Sequence, residues 1–588
     1  MRHEFVDKLI EIEPATFLMR ITEASEVARL LNEFGHRALL YGGNPYRAKA
    51  YLRAAERVAL LTEPLVDLVK QQRLQDIPGV GDAIAGVITK LCQTGSHPSL
   101  EKMRADVPES VLEMLTIPGL RPEKVMKLHK ELGINTIEEL ETAVREDRLK
   151  AIKGIGPALQ RKILAGLEAR QSGKAARHVH RAEELLSAAE ASFKRSNLNL
   201  NKIEFAGDLR RGCELVSNLA LVGQQPAAKT QRQKFGDLTV HAAHPSRFGA
   251  ALLFATGSES HLDQLQKLAR KKGFSLDETG LYRNEKLVAA RTETEIYDSL
   301  GLAFIEPELR EGGREIALAK KRLLPNLVGI QDIRGILHAH TTASDGVNTL
   351  RQMADATRKR GYSYFGVADH SKSAHYAGGL SIEEIIAQHE HIDELNAEYG
   401  NEFQVFKGIE SDILPDGSLD YPDEVLARFD FVVASVHGQF RKDRASQTER
   451  IVRAVANPFT TILGHMTGRQ LLRRPGYDVD VNRILAACAG HGVAVEINAN
   501  PWRLDLDWRW HQRGLEHGCL FSINPDAHST REIDLTRWGL AIARKGGVPP
   551  ERVLNALDLS SFREHLRTRK MGGSNEQVPT PLARGVGY

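Results

Sequence analysis

The sequence predicts a multidomain protein with a helical front third and a parallel α/β domain at its C-terminal end. Three observations lead there. At 588 residues the chain is too long for one hydrophobic core. Three stretches, DIPGVGDAIAGVITKL from Asp76, TIPGLRPEKVMKLHKELGI from Thr116 and AIKGIGPALQRKILAGL from Ala151, repeat one layout, a glycine-containing turn that opens an apolar-periodic helix. From Asp332 onward, short β-rich apolar runs alternate with helical stretches, the pattern of a parallel sheet.

Bulk composition excludes several classes. Hydrophobic residues make up 42% and charged residues 26%, and no apolar run is long enough to cross a bilayer. The start, MRHEFVDKLIEIEPATFLMR, has scattered acidic residues and lacks the order of a signal peptide. Cys92, Cys213, Cys488 and Cys519 form no CxxC pair, which suggests neither a disulfide framework nor a zinc ribbon and fits a reducing cytoplasm. A formal charge of +3 identifies no partner, since nucleic-acid binders often confine basic residues to one face.

The front third opens with SEVARLLNEFGHRALLYGGNPYRAKAYLRAAERVALL, two amphipathic helices joined by Gly-Gly-Asn-Pro at residues 42 to 45. In the three hairpins that follow, Gly79, Gly81, Gly119, Gly154 and Gly156 permit positive φ and close backbone approach. Successive N–H groups can then converge on a phosphate oxygen at a helix N-terminus without reading any base. An ordinary αα-turn would account for any one hairpin; the threefold repetition favours nucleic-acid backbone. Residues 1 to about 175 resemble the N-terminal and fingers regions of bacterial family X DNA polymerases, modules that bind gapped or nicked DNA. That resemblance implies helix-hairpin-helix domains at 1–95 and 96–178. The lysines that some relatives use for a lyase step fall here on Ala83 and Val87, so no such step is expected. Arg121 stands where the second hairpin usually has a glycine.

In the middle, FAGDLRRGCELVSNLALVG is similar to the palm motif of the same family. RFGAALLFATGSESHLDQLQKLARKKGFSLDETGLY and PELREGGREIALA match its later segments. The resemblance implies an α+β nucleotidyltransferase-like palm and thumb over 179–328. Nucleotidyl transfer needs carboxylates to hold two Mg²⁺ ions. The family's three aspartates become Asn218, Ala220 and Thr239, so the expectation is a palm that keeps its fold, holds no Mg²⁺ and has lost polymerase activity. Asp208 and Asp237 are the residues from which a rebuilt site would have to come, and Arg210 and Arg211 are candidate phosphate contacts.

The C-terminal portion holds seven strand candidates, GILHAHT, YSYFGVADH, FQVFKGIES, FDFVVASVHG, TTILGHMTG, VAVEINAN and LFSINPDAH. Six end in ligand-type residues: His338 and His340, His370, Glu410, His437, His465, and Asp526 with His528. Asp345 lies in the loop after the first strand. In a barrel of parallel strands all those ends open on one face, so nine such side chains would converge. His375, His389, His391, His491, His511 and His517 lie outside the strand ends and are read as ordinary surface or core residues. Imidazoles mixed with carboxylates suit Mn²⁺, Zn²⁺ or Fe²⁺ better than Ca²⁺.

The motifs HAHTTASDG, ADHS, GIESDILPDGSLDYPDEVLARFDFVVASVHGQF, GHMTGR, EINANPWRLDL and DAHS resemble the PHP (polymerase and histidinol phosphatase) domain that follows the polymerase core in bacterial family X enzymes. The resemblance fills all nine ligand positions and departs at Met466, where proline is common. It implies a distorted (β/α)₇ barrel over 332–569, up to three ions, Mn²⁺ foremost, and 3′→5′ exonuclease activity. His338, His340, Glu410, His437, Asp526 and His528 are the residues expected to carry it. Arg469, with Arg503 and Lys372 behind it, is the candidate for a phosphate contact. The tail from Lys570, rich in Gly and Pro, has no assigned role. The expected protein binds DNA without sequence preference, at gaps, nicks or 3′ ends, and hydrolyses it. The alternatives are a small-molecule phosphomonoesterase, a non-catalytic DNA scaffold and residual polymerase activity.

Overall fold

The computed structural model describes residues 24–570, apart from 42–44, 60–64, 78, 118–119, 153, 158, 161–162, 165–166, 168–175, 196–199, 201, 227–230 and 236. Gly119, the 42–44 turn and the tail after Lys570 therefore lie outside the described residues. The chain forms two compact units, Met1–Ala175 and Ala176–Tyr588.

The described elements of the first unit are all helices, and they fill two small cores. Val27, Leu31 and Phe34 of Ala24–Leu40 share one with Tyr51, Ala54 and Val58 of Pro45–Ala59 and with Ile84, Ile88 and Leu91 of Asp82–Thr94. Val125 and Leu128 of Pro122–Leu132 share the other with Leu140, Ala143 and Val144 of Ile137–Arg145. Apolar spacing of three and four residues puts these side chains on one face of each helix.

The threefold layout read from the sequence recurs in backbone geometry. Each hairpin opens with a short 3-10 turn, Leu74–Asp76, Met114–Thr116 or Arg148–Ala151. The amide that follows each turn closes on the residue three back, Val80 on Ile77, Leu120 on Ile117 and Ile155 on Ile152, at 3.0 to 3.1 Å. Gly79 and Gly154 take φ of 82° and 91°, a conformation that costs an L side chain about 1–2 kcal/mol.

In the second unit the strands are β1 (Arg177–His178), β2 (Ile203–Ala206), β3 (Leu215–Val216), β4 (Leu219–Gln224), β5 (Gln231–Phe235) and β6 (Leu238–Ala243). A mixed sheet runs β2-β4-β6-β5, with β4 and β6 parallel. The almost wholly buried helix Phe248–Thr256 packs on it. A three-stranded antiparallel sheet follows, β7 (Ser275–Asp277), β8 (Gly280–Arg283) and β9 (Lys286–Ala289), sharing a core with Leu265, Ile296 and Tyr297.

The remaining strands are β10 (Gly335–Leu337), β11 (Tyr364–Val367), β12 (Gln404–Asp412), β13 (Phe431–Ser435), β14 (Thr460–Leu463), β15 (Ala494–Asn498) and β16 (Phe521–Asn524). They pair in chain order and all in parallel. A bridge between Ala339 and Ala527 brings the first strand to the last, so the seven form a nearly closed barrel. Helices cover the outside, which explains why the strands read as unbroken apolar runs. The last helix, Leu559–Lys570, plugs the end where the strands begin: Phe562 stacks on Tyr364 at 4.8 Å and meets Phe406 edge-on at 4.9 Å. The opposite end stays open for the ligand-type residues.

Palm and barrel share a core, in which Val179, Leu186, Val216 and Leu221 join barrel residues such as Val495 and Trp538. Polar contacts reinforce this. Glu214 accepts hydrogen bonds from Trp508 Nε1 at 3.0 Å and Arg509 at 2.7 Å, and the buried Lys545 ammonium reaches Glu311 at 2.5 Å and the Arg211 carbonyl at 3.0 Å.

Candidate metal centre

All nine ligand-type residues marked by the sequence sit at the C-terminal mouth of the barrel; six of them are buried there, and Asp345, His437 and His528 are partly exposed. Parallel strands in chain order carry each strand end to the same rim, which is why residues as far apart as His338 and His528 meet. His338 and Asp526 hold φ of 71° and 52°. Backbone of that kind costs about 1–3 kcal/mol per residue and persists where the surroundings impose it.

Glu410 is the hub. Its Oε1 lies 2.9 Å from His465 Nε2 and 3.3 Å from both His338 Nε2 and His437 Nε2; its Oε2 lies 3.0 Å from His370 Nδ1. Asp526 Oδ1 stands 3.2 Å from His340 Nε2, and Asp345 Oδ1 stands 3.3 Å from His528 Nε2 and 3.6 Å from His370 Nε2. Four overlapping sets result, His340–Asp345–His370–His528, His338–His340–Asp526, His338–Glu410–His465 and His370–Glu410–His437, each with ligand atoms within 4.8 Å of one another.

These residues fit divalent cations. Buried atoms His338 Nε2, His340 Nδ1, Asp345 Oδ1, His370 Nδ1, Glu410 Oε2 and His465 Nδ1 have no hydrogen-bond partner. Leaving a buried polar group unpaired costs about 1–3 kcal/mol, so six in one place call for ions rather than protein partners. The electrostatics agree. Burial works against ionised carboxylates, yet the surrounding histidines hold Glu410 and Asp526 well below the usual carboxylate range. Burial likewise opposes a charged imidazole, but Glu410 and Asp412 push His437 up to about 10, and Asp345 and Asp526 push His528 up to about 9. The carboxylates of the pocket thus favour positive charge, while burial, with His528 and His370 alongside, lowers His340 to about 4.

Sequence reasoning missed the residues that hold the ligands in place. The sixth strand, which has no ligand at its end, contributes Glu496 from its middle. This buried carboxylate meets His338 Nδ1 at 2.5 Å and accepts the His465 amide at 2.7 Å, Asn524 Nδ2 at 3.0 Å and Asn498 Nδ2 at 3.1 Å. Asp412, two residues beyond Glu410 on the same strand, meets His437 Nδ1 at 2.6 Å. Asp369 accepts the Thr341 amide and hydroxyl, both at 2.7 Å, and steadies the loop that carries Asp345. Partners of this type orient ligand histidines and set their tautomer. The available signal was an acid inside an otherwise apolar buried strand.

Three candidate phosphate contacts need correction. Arg469 spends its guanidinium on Asp507 at 2.8 Å and on the Arg503 and Leu504 carbonyls. Arg210 forms a two-pronged pair with Glu293 at 2.7 and 2.8 Å, and Arg211 pairs with Asp208 at 2.6 Å and Glu311 at 2.9 Å. Groups so engaged build the fold and are not free to grip phosphate. Arg503, the weaker candidate in the sequence, is the arginine at the mouth, with Nε 3.7 Å from Asp526 Oδ2; Lys372 is exposed on the loop after His370.

In the palm, Ala220 and Thr239 are cross-strand partners on β4 and β6, and Asn218 immediately precedes β4. Asp208 is occupied by the Ser217 and Asn218 amides, each at 2.8 Å, besides Arg211, while Asp237 is exposed and paired with Arg177. Among the described residues, the groups able to hold a metal all lie at the barrel mouth. In the first unit, a side chain added at Gly79, Gly81 or Gly156 would meet nothing within 4 Å, so these turns face open space.

Comparison with known proteins fits this architecture. Residues 251–311 match the family model for the DNA polymerase beta thumb, residues 23–97 that for a helix-hairpin-helix domain and residues 111–169 that for a SAM-like helix-hairpin-helix tandem. A DNA polymerase/3′-5′ exonuclease PolX of Bacillus subtilis (strain 168) is 32% identical over 571 residues, covering 92% of this chain and 99% of that protein. A probable phosphatase of Thermoanaerobacter sp. (strain X514) is 26% identical over 258 residues, 41% of this chain and 97% of that protein. A probable phosphatase of Vibrio parahaemolyticus is 26% identical over 232 residues, 37% of this chain and 87% of that protein. With helix-hairpin-helix units in front, a thumb in the middle and a metal-ligand barrel behind, the chain belongs to the PolX family, the family X DNA polymerases that carry a C-terminal PHP domain.

Proposed function

We propose that this protein binds DNA and that its barrel removes nucleotides from 3′ ends as a divalent-metal-dependent 3′→5′ exonuclease, while its palm no longer transfers nucleotides. The carrying observation is a contrast within one chain. Nine ligand-type residues are intact at the barrel mouth, whereas the positions expected for the palm carboxylates are Asn218, Ala220 and Thr239. Selection that had abandoned both sites would have eroded both. The named activity of the Bacillus subtilis relative supports the DNA substrate, and the open glycine turns of the first unit supply a means of holding a strand by its backbone.

The four overlapping sets, His338–His340–Asp526, His338–Glu410–His465, His370–Glu410–His437 and His340–Asp345–His370–His528, would hold up to three ions; Mn²⁺ suits these mixed imidazole and carboxylate sets best, with Zn²⁺ or Fe²⁺ as alternatives. Bound cations supply the Lewis acidity that phosphodiester hydrolysis requires. The chain's own residues prepare the site. Glu496 and Asp412 fix the rings of His338 and His437, and Arg503 offers a guanidinium beside Asp526 for a phosphate oxygen. Water adds to phosphorus and the P–O3′ bond breaks, leaving a shortened strand with a 3′-hydroxyl and a free 5′-mononucleotide.

Labelled single-stranded and gapped DNA incubated with Mn²⁺ tests this. Shortening from the 3′ end, abolished in a His338→Ala/His340→Ala variant, is the expected result; extension on adding dNTPs would overturn the reading of the palm. A second reading, a phosphomonoesterase acting on a small substrate, draws support from the relatives named as probable phosphatases. It prevails if a small phosphate ester is hydrolysed much faster than DNA.

A further inference from the structure

Tyr376 is the most exposed large hydrophobic side chain among the described residues, at 71%, and it stands over the candidate metal centre. Its ring lies 6.2 Å from the His370 ring and 6.4 Å from the His437 ring. An exposed aromatic on a loose loop would mean little, but this loop is tied down on both sides. The Ser371 amide bonds the Glu410 carbonyl at 3.0 Å, the Lys372 amide bonds Tyr421 Oη at 3.0 Å and the Ser373 amide bonds Asp420 at 2.5 Å. After the tyrosine, the Ala377 amide returns to Ala374 at 2.8 Å and the Leu380 amide to the His370 carbonyl at 2.9 Å. Ala374 and Ala377, on either side, are buried. The backbone thus fixes a flat apolar ring in solvent at the rim, forgoing the gain of about 25 cal/mol per Å² that burial would bring.

We infer that Tyr376 is a stacking platform for the base of the nucleotide whose phosphate reaches the barrel mouth, a binding residue for the 3′-terminal nucleoside. The inference rests on the exonuclease reading for its substrate. A phosphate drawn to the His370–Glu410–His437 set places its own nucleoside within reach of the ring above that set, while Arg503 lies at the Asp526 side of the mouth. Every base has a π-face, so stacking adds affinity without sequence preference. That matches a protein whose other candidate DNA contacts, the glycine turns and Arg503, are to the phosphate backbone.

The test is binding, so that it does not depend on cleavage. A short single strand, labelled at its 5′ end and closed at its 3′ end by a hydrolysis-resistant phosphorothioate linkage, is titrated with the full-length protein in Mn²⁺ by fluorescence anisotropy. Two versions are compared, one with a normal 3′-terminal base and one with a base-less sugar there. The wild-type protein prefers the base-bearing strand by about 5- to 150-fold, the range for one stacked base. Tyr376→Ala loses that preference, and Tyr376→Phe and Tyr376→Trp retain it, a pattern that a purely structural role would not produce. Equal preference in Tyr376→Ala and wild type, or none in wild type, overturns the inference. A wild-type protein that shows the preference but leaves an unmodified strand intact overturns the exonuclease reading and leaves the stacking site standing.

Discussion

Glu496→Gln is the most informative single change, because it removes a charge and leaves the shape. Four groups converge on the two Glu496 oxygens: His338 Nδ1 and Asn524 Nδ2 on Oε1, the His465 amide and Asn498 Nδ2 on Oε2. A glutamine amide keeps one oxygen and puts an NH₂ group where the other was. Whichever way it turns, that NH₂ faces two donors, so two charge-assisted contacts are lost, each worth about 1.5–3 kcal/mol before relaxation. Turned one way it leaves His338 without its acceptor; turned the other way it leaves the His465 backbone without one. Both outcomes loosen a ligand of the Glu410 set. The expected loss of Mn²⁺ affinity is about 10- to 100-fold, or roughly 1.4–2.7 kcal/mol. Isothermal titration of the chelator-stripped protein with Mn²⁺ measures it, and circular dichroism checks that the barrel is folded. A folded Glu496→Gln protein that binds Mn²⁺ as tightly as wild type refutes the claim that Glu496 organises the centre.

Three further outcomes follow from other parts of the molecule. Gly81→Val adds a side chain in open space at φ −87°, costing the helix at most about 1 kcal/mol, but it crowds the turn that would meet a phosphate. DNA affinity in filter binding falls about tenfold while the melting temperature stays close to wild type. In the first unit, hydrogen bonds from Arg104, against the opposing pull of burial and with help from Arg37, hold Glu33 down at about 2, below its ordinary 4.5. A depressed carboxyl stabilises the fold fully above about pH 4.5 and loses that contribution as pH falls towards 2. Glu33→Gln therefore lowers stability by about 1–2 kcal/mol at pH 7, and the difference from wild type shrinks on acidification, as denaturant melts at several pH values will show. Lys545→Met removes the buried ammonium that joins the barrel to Glu311 and the Arg211 carbonyl, leaving Glu311 to Arg211. The cost is about 3 kcal/mol, visible as a lower melting temperature of the full chain; no shift would mean that this polar seam contributes nothing.

Much of the candidate centre was legible because it rests on local pattern. A histidine or acid at the end of a short apolar run is a statement about a few consecutive residues, and parallel strands send all such ends to one rim. The glycine turns were legible for the same reason, since a turn, a glycine and a helix start lie within one short stretch. Reading the palm positions needed only a count along two strands, and Ala220 and Thr239 do face each other across them.

What stayed hidden depends on contacts between residues far apart in the chain. Glu496 meets His338 across 158 positions, and nothing near Glu496 marks it as a partner of an imidazole. Arg469, Arg210 and Arg211 carry the same charge whether they grip a phosphate or a buried acid; only the packed neighbours Asp507, Glu293 and Glu311 decide between the two. The common core of palm and barrel belongs to the same class, because apolar periodicity says which face of an element is buried but not against what. In this protein the order of residue types along the chain determined the ligand-type residues and the barrel that gathers them. The tertiary structure decided which charges are spent on the fold and which are left to meet a substrate, since a charge commits to a partner only when burial strips its water and leaves one neighbour to replace it.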